Sequence, residues 1–161
     1  FFMQIEGDTG VSGSCIPCLG DEYCQSNPNS TGATTDMCIT GSTSVAADNM
    51  TLAAINMPNN SFGFFITSQT QGFTANPAGS QGNICLAGNL GRFVAPGQIK
   101  NSALTGGIML ETPTEWTTTA IPTATGPYAA AVGITTNFQT WHRDVGSNSN
   151  FSNAYEITWT P

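Results

Sequence analysis

His142, the only histidine of the chain, lies in Trp141-His142-Arg143-Asp144 and is the one imidazole available as a general base, with Asp144 as the carboxylate to orient it. On a strand, alternate residues share a face, so His142 and Asp144 would lie on one side and Trp141 and Arg143 on the other. No Gly-X-Ser-X-Gly elbow is present to hold a nucleophile. The motif therefore reads as a packed or surface strand histidine. Hydrolysis of a glycosidic bond needs two carboxylates flanking that bond, and the close pairs are Glu111 with Glu115 and Asp21 with Glu22. Neither pair differs from solvated loop acids. No catalytic residue is assigned, and the chain is expected not to be an enzyme.

Cysteine chemistry comes next, because Cys15, Cys18, Cys24, Cys38 and Cys85 are many for a chain of 161 residues. The order C-x2-C-x5-C-x13-C lacks the two C-x2-C knuckles of a recognisable zinc site. Leu19, not histidine, follows Cys18, which excludes c-type haem attachment, and no βαβ context supports thioredoxin-like exchange. Structural disulfides remain, and they point to an oxidising compartment. The favoured pair is Cys24 with Cys85, which would tie the start of the domain to mid-sheet. Cys38 would then pair with Cys15 or Cys18, leaving the third thiol over.

No cofactor is expected. The oxygen-rich stretch Asp144-Val145-Gly146-Ser147-Asn148-Ser149-Asn150 is the best calcium candidate, but it is not an EF-hand loop and reads more simply as a polar hairpin tip. Flat rings stack on pyranose faces, so Trp116, Trp141 and Tyr128 are the candidate glycan contacts. Tyr155, Ile157 and Trp159 alternate along the last run and are expected to bury one face. Phe62, Phe64 and Phe65 read as core, with Gly63 permitting close backbone approach or a bulge.

The elements that must position these residues are short. Apolar or β-branched runs recur between turn formers at 34–40, 50–56, 61–68, 83–87, 92–95, 108–112, 128–133, 135–142 and 154–160. No amphipathic helical window survives the Gly, Pro and Thr clusters. The polar turn at 146–150 predicts a closing antiparallel hairpin. The fold class expected is an all-β, immunoglobulin- or fibronectin-like antiparallel sandwich with an N-terminal strand extension. Residues 1–22 read as that strand plus a cysteine-containing linker, and 23–161 as the sandwich domain. Phe1, Met3 and Ile5 alternate with polar residues as an assembly strand would. The start at Phe1 is expected to be that of a processed or excised chain.

Ten carboxylates against three bases, Arg92, Lys100 and Arg143, give a formal charge of −7. That leaves no basic stripe for nucleic acid or an anionic lipid surface. No run is long and apolar enough to span a membrane.

Several segments together resemble a module that recurs, often near the C-terminus, in large secreted proteins of planctomycetes and other environmental bacteria. The resemblance is carried by Tyr23-Cys24, Asn27-Pro28-Asn29-Ser30-Thr31-Gly32, Phe62-Gly63-Phe64-Phe65 and Ser68-Gln69-Thr70-Gln71-Gly72-Phe73. It continues through Gly79-Ser80-Gln81-Gly82-Asn83-Ile84-Cys85-Leu86, Gly91-Arg92-Phe93, Asn137-Phe138-Gln139, Trp141, Arg143-Asp144 and Ser149-Asn150-Phe151-Ser152, covering roughly residues 23–160. It implies an extracellular immunoglobulin-like or fibronectin-like sandwich and no particular catalysis. Cys15, Cys18 and Cys38 depart from that pattern. The expected role is an extracellular or cell-surface structural subunit, self-assembling through its N-terminal strand. The alternative is an adhesive or carbohydrate-binding module of a larger secreted protein. Expected partners are copies of itself, other surface or matrix components, or polysaccharide.

Overall fold

A computed structural model describes residues 17–161. Phe1, Met3, Ile5 and Cys15, the assembly strand and one cysteine candidate, lie outside the described residues. The strands are β1 (Asp21–Tyr23), β2 (Asp36–Gly41), β3 (Met50–Ile55), β4 (Phe62–Ser68), β5 (Thr70–Ala75), β6 (Asn83–Ala87), β7 (Gly91–Arg92), β8 (Lys100–Asn101), β9 (Ile108–Glu111), β10 (Thr135–Arg143) and β11 (Ser149–Thr158). The helical content described is one 3-10 turn, Pro77–Gly79. No helix among the described residues is long and apolar enough to cross a membrane.

One sheet runs β1-β11-β10-β4-β7, with β8 also paired to β4. A second runs β2-β3-β9, and β5 with β6 forms a separate hairpin. Every strand pairing is antiparallel. The sheets pack on one another as an all-β sandwich. The period-2 pattern builds the layers: on β9, Ile108 and Leu110 point inward while Met109 and Glu111 face out. Ile39, Leu52 and Leu110 from the small sheet meet Phe65, Phe138 and Ile157 from the large one. Phe93 and Trp116 fill the space beside Phe138, with ring centroids 5.3 Å apart at an edge-to-face angle. Trp159 is fully buried, and its Nε1–H donates to Thr136 Oγ1 at 2.9 Å, so the indole contributes area without an unpaired donor.

β10 and β11 have a second apolar layer on their other side. Ile66, Leu86 and Phe151, with half-buried Phe64, Ile84 and Trp141, are sandwiched between the large sheet and the β5–β6 hairpin. These strands are consequently buried on both faces. Asn137, Gln139 and Ser152 are interior despite their polarity. Gln139 resolves this by accepting from Cys85 N–H at 3.0 Å and donating to Asn83 and Ser152 carbonyls at 2.9 and 2.7 Å.

Several expectations are corrected or sharpened. Phe65 is core, but Phe62 is 55% exposed, because it shares a face with Phe64 and lies beyond the reach of the hairpin that covers the later part of β4. Gly63 is a close approach: a Cβ there would stand 2.9 Å from the Trp141 carbonyl oxygen. The 128–133 run is not a strand. Tyr128 exchanges two backbone bonds with Ile121, and beyond it Ala129, Ala131 and Val132 are exposed while Ala130 packs against the core. β1 pairs Asp21 with Glu156 and Tyr23 with Ala154, so sheet pairing starts inside the segment read as linker.

Candidate functional site

Cys24 is bonded to Cys85 with Cα atoms 6.2 Å apart, and Cys18 to Cys38 at 5.3 Å. The first bond clasps the end of β1 to β6, fastening the outer hairpin over the large sheet. The second fixes the start of the described chain on β2. Leu19 N–H reinforces it by donating to Ile39 O at 2.7 Å. Ser42 N–H bonds the opposite way, to Asn49 O, so Ile39 presents its backbone to the outer edge of β2. On that outer edge Leu19 bonds Ile39 O, and Met37 N–H donates to Asn153 Oδ1 at 2.6 Å.

His142 is buried, and both ring nitrogens are committed. Arg143 O can only accept, so Nδ1 carries the proton and donates to it at 2.7 Å. Nε2 then accepts from Thr35 Oγ1–H at 2.8 Å. Thr35 Oγ1 in turn accepts from Asn29 Nδ2 at 3.0 Å. Asp144 does not contact the ring through a hydrogen bond. Its carboxylate accepts from Ser30 N–H at 3.1 Å and Val145 N–H at 2.8 Å. The two side chains share a side, as alternation requires, and each holds a loop in place.

Burial pushes the His142 imidazole down, and this outweighs the Arg143 hydrogen bond and the Asp144 charge, which push it up. The Asp144 carboxyl is raised by burial but held below its ordinary value by hydrogen bonds from Ser30 and Val145 and by His142. A histidine held down in the folded state stabilises the fold fully above its unfolded value of 6.5 and less as the pH falls through that value, because the unfolded chain takes up the proton first. Urea titrations should therefore show stability falling below that pH, by up to about 1.4 kcal/mol per pH unit. The variant His142→Gln should lose this slope; an unchanged slope between pH 6.5 and 5 would contradict the assignment.

The acid pairs are also occupied structurally. Glu115 pairs with Lys100 and accepts from Glu111 N–H at 2.9 Å. Glu22 accepts from Asn153 Nδ2 at 2.8 Å, while its neighbour Asp21 points to the opposite side of β1. In the calcium candidate, the Asp144 carboxylate accepts from Ser30 and Val145 N–H, and Asn150 Oδ1 accepts from Phe151 N–H at 2.8 Å, so both side-chain oxygens already have backbone donors. Among the described residues no group of three or more His, Cys, Asp or Glu side chains is placed to hold a metal ion.

The three candidate glycan contacts are not brought together. Trp116 is 5% exposed, donates Nε1–H to Leu110 O and turns an edge toward a cleft of about 370 Å³ that also includes Arg92, Pro122 and Pro127. Tyr128 is half-buried, with its hydroxyl 2.7 Å from Thr136 Oγ1. Trp141 lies elsewhere, on the outer face of the large sheet. There Phe64 stacks on it at 4.9 Å, and the Arg143 guanidinium sits 5.5 Å from its ring. Phe62 continues this stripe to the rim, where a second cleft of about 280 Å³ opens between 58–62 and 143–146. Neither Phe62 nor its neighbours Asn59 and Asn60 was singled out as a ligand contact from sequence. The parity of Phe62 with Phe64, against Phe65, is the signal that separates them. No protein-family model, no curated protein and no solved structure matches the chain.

Proposed function

We propose that this chain is a non-enzymatic extracellular structural subunit, joined to neighbouring copies by its N-terminal strand, residues 1–6. One observation carries the reading: the root of the N-terminal segment is fixed on the outer edge of β2 by Cys18–Cys38 and by Leu19 N–H on Ile39 O. An edge strand offers unpaired backbone groups to an added strand, with pockets for alternate side chains, here Phe1, Met3 and Ile5. Residues 7–17 span at most about 40 Å when extended, enough for the strand to reach a second copy. The two disulfides support an oxidising, extracellular setting. So does the resemblance to a secreted module.

Light scattering under non-reducing conditions tests the proposal. The full chain is expected to form oligomers, and removal of residues 1–6 is expected to return it to a monomer of unchanged thermal stability. Oligomers that survive the deletion, or a full chain that is monomeric at high concentration, would remove the reason for believing in strand addition. The second reading, an adhesive or carbohydrate-binding module, is favoured by the aromatic stripe ending in Phe62.

A further inference from the structure

We infer that the cleft at the Phe62 end of β4 binds one sugar unit of an uncharged glycan, with the Phe62 ring as its floor and Asn59, Asn60 and Arg143 as its hydrogen-bonding rim. This does not rest on strand exchange, and the two stand or fall separately. Three independent features of the cleft lead to it.

The first is the ring. Phe62 and Phe64 occupy equivalent positions on one face, yet Phe64 is stacked under Trp141 while Phe62 is 55% exposed and lines a concavity of about 280 Å³. That volume lies at the lower end of ligand sites and suits one ring instead of an extended chain. An aromatic ring in a concave site covers the C–H face of a pyranose and leaves the hydroxyls pointing outward around it.

The second is the set of uncommitted polar groups around that ring. Most amide side chains here are spent on the protein itself, as with Asn29, Asn89, Asn101, Asn150 and Asn153. Asn59 and Asn60 are exposed, and their side chains have no hydrogen bond to any described residue. The Arg143 guanidinium has no carboxylate partner among them and lies over the Trp141 ring. Amides supply a donor and an acceptor each, and a guanidinium supplies a planar fork of donors, the combination that reads vicinal hydroxyls.

The third is pre-organisation. Asn60 is held at φ 55°, with its N–H on Ala103 O at 2.7 Å. Ser61 N–H is bonded to Ser102 Oγ at 2.9 Å, and Ser61 Oγ–H to Arg143 O. The two walls of the cleft are thus tied to each other through Ser61, so little ordering remains to be done on binding. Charge selects the ligand class. Asp144 lines the same cleft and offsets Arg143 locally, and the chain carries −7 overall, so an uncharged sugar meets no repulsion where a polyanion would.

The test is titration of the full chain with hexasaccharides of β-1,4-linked glucose, mannose, galactose and xylose, with oligogalacturonate as the charged counterpart. Tryptophan fluorescence and backbone chemical shifts are the readouts, because Arg143 rests on Trp141. At least one neutral series is expected to shift residues 58–62 and 143–146. Phe62→Ala should weaken that binding tenfold or more, with unchanged melting temperature because the ring is exposed, and Phe62→Tyr should restore it. Arg143→Gln should weaken it severalfold. Silence across the neutral series, preference for oligogalacturonate, or binding indifferent to Phe62→Ala would each overturn the inference. The oligomeric state, measured on the same samples, reports on strand addition independently.

Discussion

Replacing Cys24 and Cys85 together by serine is expected to lower the unfolding free energy by about 4 kcal/mol, close to half of what a domain of this size typically has. The bond joins residues 61 apart in sequence, and in the chain-entropy model its main effect is to withdraw conformations from the unfolded chain. Its partner, Cys18–Cys38, spans 20 residues and should be worth about 3 kcal/mol on the same basis. There is also a native-state consequence. The β5–β6 hairpin is held to the large sheet by a small apolar layer, by this bond and by hydrogen bonds that include Gln139 on Cys85 N–H and Asn83 O and Ser68 Oγ–H on Ala87 O. Without it, amides of β5 and β6 should exchange with solvent faster than those of β10 and β11. Urea titration of the oxidised parent and the double variant, with hydrogen exchange on both, reads the two effects apart. A loss below 1 kcal/mol with unaltered hairpin protection would show that the bond does not restrain the fold.

The features that were legible in the sequence are those in which one residue decides one face. Tyr155, Ile157 and Trp159 alternate with the more exposed Glu156 and Thr158, and all three are buried on the core side, along β11 and just beyond it. The same rule fails on β10, because the hairpin of β5 and β6 buries its second face. Asn137 and Gln139 are therefore interior on the hairpin side, while Thr140 and His142 are buried on the core side they share with Phe138. β5 shows no alternation because nearly all of it is exposed, and β8 is two residues long, so neither produces a periodic signal. At the candidate site the position of Trp141 near the surface could be anticipated, but its companions could not. Phe62-Gly63-Phe64-Phe65 looks like uniform core until the pleat is applied, which sends Phe62 and Phe64 one way and Phe65 the other. Whether Phe62 is then covered depends on where the β5–β6 hairpin ends, a tertiary fact. Trp116 is buried for the converse reason: the loop around it folds its ring against Phe93 and Phe138.

Asn29→Ala should cost about 3 kcal/mol, an unusually large loss for a polar residue in a turn. Asn29 uses its whole side chain. Nδ2 donates to Asn56 O at 2.7 Å and to Thr35 Oγ1, and Oδ1 accepts from Thr31 N–H at 2.9 Å and from Thr31 Oγ1–H at 2.6 Å. Through Thr35 the chain of bonds reaches His142, and the adjoining Ser30 N–H and Pro28 O reach Asp144 and Asn150. The turn before β2 is therefore fastened to the tip of the β10–β11 hairpin by polar groups, with the Asn29–Thr35–His142 links buried. Removing a partner from such a network leaves the others unsatisfied. Asn29→Asp separates this from a loss of shape. It is nearly isosteric and keeps an acceptor for Thr31, but it replaces the two Nδ2 bonds by a carboxylate oxygen facing Asn56 O. It should be at least as damaging as alanine at pH 7 and recover part of the loss in acid, when the carboxyl can donate. Thr31→Val, which leaves Nδ2 in place, should cost no more than about 1 kcal/mol. If Asn29→Asp is tolerated, Nδ2 is not the atom that holds this end of the sandwich, and the turn is anchored instead by Ser30 on Asp144.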